Sequence, residues 1–363
     1  MFGSTRRLFT LARQFATPSA KMSTYPSKIY ALGMSKTGPI DVLEKIEVPF
    51  PEVKPDHLLI KVNYIGVNFI DTYYRQGLYP VDNFPFVLGK ETSGTIIGLP
   101  SDQTTLNDPD YKARGYKQGG KVASDVLSTH AEYISVPWKT VYPVPDAVSP
   151  LTAVATLVQA LTAVSFMDEA YAVKKGDTIL IHTVAGGLGL LMAQYAKSLG
   201  ATIIGTTSTT EKAELAKKNG ADHVIIYKTE NTVKRVLEIT NGEGVDAIFD
   251  GVGKDTFDAN FDMIKRKGTL ISVGNASGAV PPFPPLKLLP KNLKLLRPTM
   301  NNYAYTAQEA LYYGQKVFDL VQKGTLRPHV HKEYPFTTEG AQQAQKDLTS
   351  GATTGKVVIK VSD

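Results

Sequence analysis

Thr178-Ile179-Leu180-Ile181-His182-Thr183-Val184-Ala185-Gly186-Gly187-Leu188-Gly189 decides how this chain is read. An apolar run of strand length runs into a turn with glycine at three of its last four positions, and an apolar helical pattern continues to Leu199. A strand that feeds a glycine turn and then a helix makes an anion pocket. Without a Cβ the backbone can approach a pyrophosphate, and the helix N-terminal amides stabilise its charge. The turn departs from G-x-G-x-x-G because Val184 stands at the first glycine position, so its weight comes from the strand before it and the helix after it.

Downstream the same rhythm repeats. Strand patterns at Ala201–Gly205, His223–Ile226, Val245–Phe249 and Gly268–Val273 alternate with helical patterns at Glu211–Asn219, Thr232–Thr240 and Asp258–Ile264. Continuous Ile/Leu/Val runs between helices predict a doubly wound parallel sheet covered on both faces. Upstream, Thr152–Phe166 reads as an Ala-rich apolar helix, and the pattern before it is short and β-rich: His57–Ile65, Glu91–Ile97 and Ala131–Val136. Strands at that spacing predict a partly closed barrel or sandwich, with residues 98–120 as an exposed polar excursion. Residues 280–298 are Pro-rich and predict a loop and an edge strand. Helices near 307–323 and 338–348 and a last strand at Lys356–Val361 complete the chain.

The 363 residues suit two domains. With no cysteine, disulfide scaffolds, thiolate metal sites and cysteine nucleophiles are excluded. The apolar runs read as too short to cross a bilayer, so no membrane insertion is expected. The formal charge of +6 is uneven: Arg6, Arg7, Arg13 and Lys21 lie in the first 21 residues with no acid, and the rest is nearly neutral. With its Ser, Thr and Phe content, segment 1–21 has the composition of a mitochondrial transit peptide. A plain disordered tail, or a true start at Met22 with a cytoplasmic product, are the competing readings.

After the second strand of the parallel sheet an NAD site carries an acid for the ribose hydroxyls. Here Thr206-Thr207-Ser208-Thr209-Thr210 is followed by Glu211-Lys212. Hydroxyls and an ammonium suit a 2′-phosphate, which favours NADPH. The alternative is that Ser208 caps the next helix and Lys212 is a solvated charge. Six scattered histidines, of which only His329 and His331 form a pair, give no metal site.

Four motifs carry a family resemblance over residues 28–363. They are Asn68-Phe69-Ile70-Asp71-Thr72-Tyr73-Tyr74-Arg75-Gln76-Gly77-Leu78-Tyr79-Pro80, the Ala185–Gly189 turn, Phe249-Asp250-Gly251-Val252-Gly253, and Gly274-Asn275-Ala276-Ser277-Gly278. The chain resembles the zinc-free quinone oxidoreductase branch of the medium-chain dehydrogenase/reductases, the zeta-crystallin-like NADPH:quinone reductases. Zinc-dependent relatives have Gly-His-Glu where this chain has Gly89-Lys90-Glu91. The resemblance implies a Rossmann doubly wound parallel-sheet domain, residues 153–302, and a GroES-like β-barrel catalytic domain, residues 22–152, completed by the C-terminal segment 303–363. It further implies a homodimer. Thr162, Gly186, Gly187 and Leu188 would line the cofactor cleft, and Ser208 and Lys212 would take the 2′-phosphate. Tyr227 would lie near the adenine, and Gly274, Asn275 and Ala276 near the nicotinamide. Asn68, Tyr73 and Arg297 would face the substrate.

The expected chemistry is NADPH-dependent reduction of a quinone without metal. A quinone is a good electron acceptor, so the protein need only align the reactants and stabilise the developing oxyanion. Two rivals remain: reduction of an enone or enal in the same cleft, and an AU-rich RNA-binding or structural role using Lys265-Arg266-Lys267 with Lys287, Lys291, Lys294 and Arg297.

Overall fold

The computed structural model describes residues 25–363, and the basic segment 1–21 lies outside them. Its first part has strands β1 (Lys28–Met34), β2 (Glu44–Pro49), β3 (His57–Val67), β4 (Phe86–Val87), β5 (Thr92–Gly98), β6 (Lys121–Ser124), β7 (Tyr133–Pro137) and β8 (Val141–Pro143). Helix α1 (Phe69–Gln76) follows β3, and the short α2 (Gln103–Asn107) and α3 (Pro109–Ala113) separate β5 from β6. Then come α4 (Pro150–Ser165), β9 (Thr178–Ile181), α5 (Gly187–Ser198), β10 (Thr202–Thr207), α6 (Thr210–Lys218), β11 (His223–Ile226), α7 (Thr232–Ile239), β12 (Val245–Asp250), α8 (Phe257–Met263), β13 (Ile264–Ser272) and β14 (Lys294–Leu296). The chain ends with α9 (Met300–Tyr303), α10 (Ala307–Gln322), β15 (Val330–Pro335), α11 (Thr338–Thr349) and β16 (Lys356–Lys360).

Strands β9 to β14 form one parallel sheet in the order β11-β10-β9-β12-β13-β14. Alternate residues feed its two faces. Ile179, Ile181, Ile203, Phe249 and Ile271 pack into one core with α4, α5 and α10, while Leu180, Ile204, Ile248 and Leu270 pack into the other with α7 and α8. This is the reason the strands read as continuous apolar runs. Chain order reverses between β9 and β12, and in such sheets a crevice opens there outside the strand ends.

The other strands form a seven-stranded sheet, β15-β16-β3-β5-β6-β8 with β7 also on β3, and a three-stranded sheet, β2-β1-β4. Together they enclose a separate core that includes Leu58, Ile60, Val122 and Trp138. Residues Val357 to Lys360 of β16 pair antiparallel with Val67 to Tyr64, so the C-terminal strand is a member of the barrel. Helix α10 instead buries Tyr313, Val317 and Phe318 in the core of the parallel-sheet domain.

Two local expectations change. Segment 98–120 is anchored rather than a free excursion: Asp102 and Asp108 cap α2 and α3, buried Tyr111 packs edge-on to Trp138 at 5.6 Å, and Arg114 donates to the Val141 carbonyl at 2.5 Å. In addition, Pro150–Ala170, which is α4 continued by one π-helical turn, is long and apolar enough by length and composition to cross a membrane. Its window is 67% buried inside the fold, so the apolarity belongs to a core helix between the two domains.

Candidate functional site

Gly186 is the N-cap of α5, with φ −73° and ψ 167°. A Cβ there would meet only the Thr183 carbonyl, at 3.2 Å, so the outer face of the turn is open to a ligand. At Gly189 a Cβ would lie 2.5 Å from the Thr183 oxygen and 2.7 Å from Val184 Cα. The two glycines therefore do different jobs, close approach at Gly186 and helix-on-strand packing at Gly189. Gly187 lies against the amide of Gln159 on α4, Leu188 packs on the core, and Gly186 bridges to Gly355 just before β16. Thr162, one turn beyond Gln159, is half-buried and donates to the Val158 carbonyl at 2.7 Å. The cleft thus has walls from both domains.

At the end of β10 the helix cap is Thr209, whose hydroxyl accepts from the Lys212 N–H at 3.3 Å. Ser208 is relieved of the capping role that the sequence allowed it. Burial, and next the neighbouring Lys228, hold the Lys212 ammonium below its ordinary range. Tyr227 joins this corner through its N–H on the Thr207 carbonyl at 3.0 Å, and His331 from β15 feels the Lys212 charge. Two cations at a strand end beside Ser208 are the kind of groups that suit a dianion.

The far end of the cleft is built by the loops after β12 and β13. Asp250 accepts from Val252 N at 2.8 Å and Gly253 N at 3.1 Å, while Gly274 N and Ala276 N donate to the Asp250 and Gly251 carbonyls, each at 3.1 Å. The backbone of the intervening Asn275 and, more weakly, the Arg297 guanidinium act on the Tyr73 phenol, both drawing its pKa down. Burial raises the Tyr73 pKa against both influences, so it is a neutral phenol. As a neutral phenol it has a proton to give to an acceptor. Arg297 also donates to the Ser272 carbonyl at 2.7 Å. Tyr73, Asn275 and Arg297 thus come together from α1 and from the loops after β13 and β14.

Asn68 lies at the start of α1 with both amide hydrogens engaged, on Gly66 O at 3.1 Å and Glu91 Oε2 at 3.0 Å, while its Oδ1 accepts from Lys356 Nζ at 2.7 Å. Glu91 and Lys356 form an ion pair that is 0% and 1% exposed, and Glu91 Oε1 accepts from the Val158 N–H of α4 at 2.7 Å. This network ties β3, β16, α1 and α4 together. With these partners Asn68 has no amide hydrogen left free to donate.

Glu91–Lys356, Lys228 and Gln159 were missed in the sequence. Only Lys228 had a signal, a cation next to Tyr227 at the following strand end. Lys90, at the position of the metal-binding histidine of zinc-dependent relatives, donates to the Asp125 carbonyl and lies 3.8 Å from its carboxylate. His182 is a structural residue between Thr206 and Asn260, at 3.0 and 2.8 Å. Among the described residues no three His, Cys, Asp or Glu converge on a metal position.

Residues 54–146 match the family described as alcohol dehydrogenase GroES-like domain, and residues 187–313 the family described as zinc-binding dehydrogenase. The chain is 36% identical over 329 residues to a probable quinone oxidoreductase of Schizosaccharomyces pombe, covering 90% of this chain and 95% of that protein. It is 32% identical over 330 residues to the 2-haloacrylate reductase of a Burkholderia species, covering 89% and 96%. The solved structure of Escherichia coli quinone oxidoreductase complexed with NADPH is similar with a TM-score of 0.84 and 32% identity, covering 92% of this chain and 100% of that one.

Proposed function

The chain belongs to the quinone oxidoreductases of the medium-chain dehydrogenase/reductase superfamily, and from that premise we propose how its residues carry out NADPH-dependent quinone reduction. NADPH fits the cleft. Gly186 would leave the room the pyrophosphate needs, the N-terminus of α5 would face it, and Ser208, Lys212 and Lys228 would hold the 2′-phosphate. When bound, NADPH supplies hydride from its nicotinamide C4.

The observation that carries the substrate reading is the Tyr73 hydroxyl, a half-buried neutral phenol under the influence of the Asn275 backbone and Arg297 that keeps a proton to give. We assign Tyr73 as hydrogen-bond donor to the quinone oxygen and Arg297 as the positive charge that stabilises the developing oxyanion. Asn68 holds α1 in place through Glu91 and Lys356. A steady-state panel of ortho-quinones, para-quinones, enals and 2-haloacrylate with NADPH tests this. Quinones are expected to turn over fastest, and turnover of none of the panel refutes the enzyme reading. The similarity to a 2-haloacrylate reductase supports the second reading, hydride delivery to an activated carbon–carbon double bond in the same cleft.

A homodimer is proposed through β14. That strand ends the parallel sheet with one edge unpaired, beside exposed Leu286, Leu289 and Leu296. Sedimentation of wild type as a dimer and of Leu289→Lys/Leu296→Lys as a monomer is the expected result. RNA binding has weaker support, since Lys265 and Lys287 are paired with Asp246 and Asp258 and Lys291 donates to three backbone carbonyls. Residues 1–21 are proposed to direct the chain to mitochondria. A reporter fused to them stays cytosolic if they do not.

A further inference from the structure

Four buried polar side chains, Thr206, His182, Asn260 and Asp250, form a single file beneath the cofactor cleft. Asp250, at the end of β12, accepts from Val252 N, Gly253 N and the Thr256 hydroxyl, and its Oδ2 accepts from Asn260 Nδ2 at 2.7 Å. Donors surround it, so it is a carboxylate. With its amide nitrogen on that carboxylate, Asn260 turns Oδ1 to His182 Nε2 at 2.8 Å, and an oxygen there requires that Nε2 carry a hydrogen. His182 Nδ1 lies 3.0 Å from the Thr206 hydroxyl, which itself accepts the Thr183 N–H at 3.3 Å. Among the described residues Nδ1 is the acceptor that the Thr206 hydrogen reaches. Every bond in the file therefore donates in one direction, toward Asp250.

We propose that His182, as a neutral imidazole with its hydrogen on Nε2, is a positioning residue for the dinucleotide: the one-way chain from Thr183 N–H through Thr206, His182 and Asn260 to Asp250 fixes the two loops between which the cofactor lies. Those loops are the ends of the chain. Thr183, just beyond β9, is exposed, and its backbone has φ +55°, a left-handed conformation that a β-branched residue keeps only where its surroundings hold it. Its carbonyl accepts the Gly186 N–H at 2.9 Å, so the conformation of Thr183 sets the glycine turn. At the other end Asp250 sets the loop after β12. The nearest atom to a Cβ built on Gly251 is the Thr183 hydroxyl oxygen, at 3.9 Å, so the two ends meet at the crevice between β9 and β12.

Each link depends on the others. A hydrogen on Nδ1 in place of Nε2 would leave two acceptors facing each other at 2.8 Å and take from the Thr206 hydroxyl the acceptor it uses. Removing the Thr206 hydroxyl leaves Nδ1 without a donor and the Thr183 N–H without an acceptor, so the strained residue at the turn loses its anchor. Thr206→Val does this at nearly constant shape, and Thr206→Ser keeps the hydroxyl. The turn serves the pyrophosphate, which NADPH and NADH share, so both cofactors should feel the loss equally. That separates Thr206 from a 2′-phosphate ligand such as Lys212. This role rests on the cofactor placing proposed above.

The test measures the dissociation constants of NADPH and NADH, with the melting temperature of the cofactor-free protein, for the full chain as wild type, Thr206→Val and Thr206→Ser. Thr206→Val is expected to weaken both cofactors about tenfold, and Thr206→Ser to stay within about threefold of wild type. Unchanged affinity in Thr206→Val beside a lowered melting temperature would make the chain structural only and overturn the proposal. So would a loss confined to NADPH, or one of equal size in both variants. If Thr206→Val does not fold, the proton–nitrogen-15 spectrum of the wild-type His182 ring decides: a hydrogen on Nε2 alone supports the chain, and a hydrogen on Nδ1 or on both nitrogens refutes it. Wild type that binds neither cofactor would defeat the cofactor placing and with it the positioning role, even where the ring carries its hydrogen on Nε2.

Discussion

The Lys212 ammonium donates to the carbonyl of Gly351 at 2.6 Å, joining the start of α6 to the turn after α11, across the mouth of the cofactor cleft. A neutral carbonyl is a weaker partner for an ammonium than a phosphate is. Burial and Lys228 already disfavour the charge on Lys212, so a 2′-phosphate relieves a local excess of positive charge. Lys212→Ala is expected to weaken NADPH binding by roughly tenfold to a hundredfold, the worth of one charge-assisted hydrogen bond. NADH binding should barely change. Titration of both cofactors at one fixed ionic strength checks this, because a half-exposed pair is screened by salt.

Gly186→Ala and Gly189→Ala should separate binding from folding. The added methyl at Gly186 meets one carbonyl at 3.2 Å and its backbone φ of −73° suits any residue, so melting should shift little while NADPH affinity falls at least tenfold, by roughly 1.4 kcal/mol or more. At Gly189 the methyl would sit 2.5 Å from a backbone oxygen, so the variant should lose about 1–3 kcal/mol of stability from overpacking. Equal loss of stability in both variants would mean that the turn serves packing alone.

The parallel sheet was legible because each strand supplies both cores, so a stretch such as Ile179–Ile181 is apolar throughout. Helix α1 was not legible. Phe69, Thr72 and Tyr74 are poor helix formers, and what starts the helix is the reciprocal bond between Asn68 and Asp71 at its N-terminus. The residues proposed for the 2′-phosphate, Ser208 and Lys212, could be read together because they are near neighbours in sequence. The Glu91–Lys356 pair was not, because its partners are 265 residues apart and nothing local marks a lysine in a terminal strand as buried.

Lys356→Met tests that pair. Removing the ammonium leaves the Glu91 carboxylate buried with only the Asn68 amide and the Val158 N–H, and breaking a buried pair on one side costs about 3–5 kcal/mol. The double variant Lys356→Met/Glu91→Gln should recover a substantial part of that loss, because no charge is left uncompensated. Urea unfolding of the three proteins at pH 7 gives the comparison, and a double variant no better than the single one would deny the pair its electrostatic role.

Tyr73→Phe tests the substrate wall. Its ring rests edge-on against Tyr79 at 5.5 Å, so the hydroxyl is removed without emptying the pocket. The raised pKa of Tyr73, caused first by burial, keeps the phenol protonated well above neutrality, so its contribution should be flat from pH 6 to 9. A hydrogen bond to an oxygen that gains charge during reduction is stronger in the transition state than in the bound quinone. Both kcat and kcat/KM should therefore fall together, by roughly tenfold to a hundredfold, while the NADPH dissociation constant stays unchanged. A rise in KM alone would mean that Tyr73 binds the quinone without stabilising the charge that develops on it, leaving Arg297 as the group that does so.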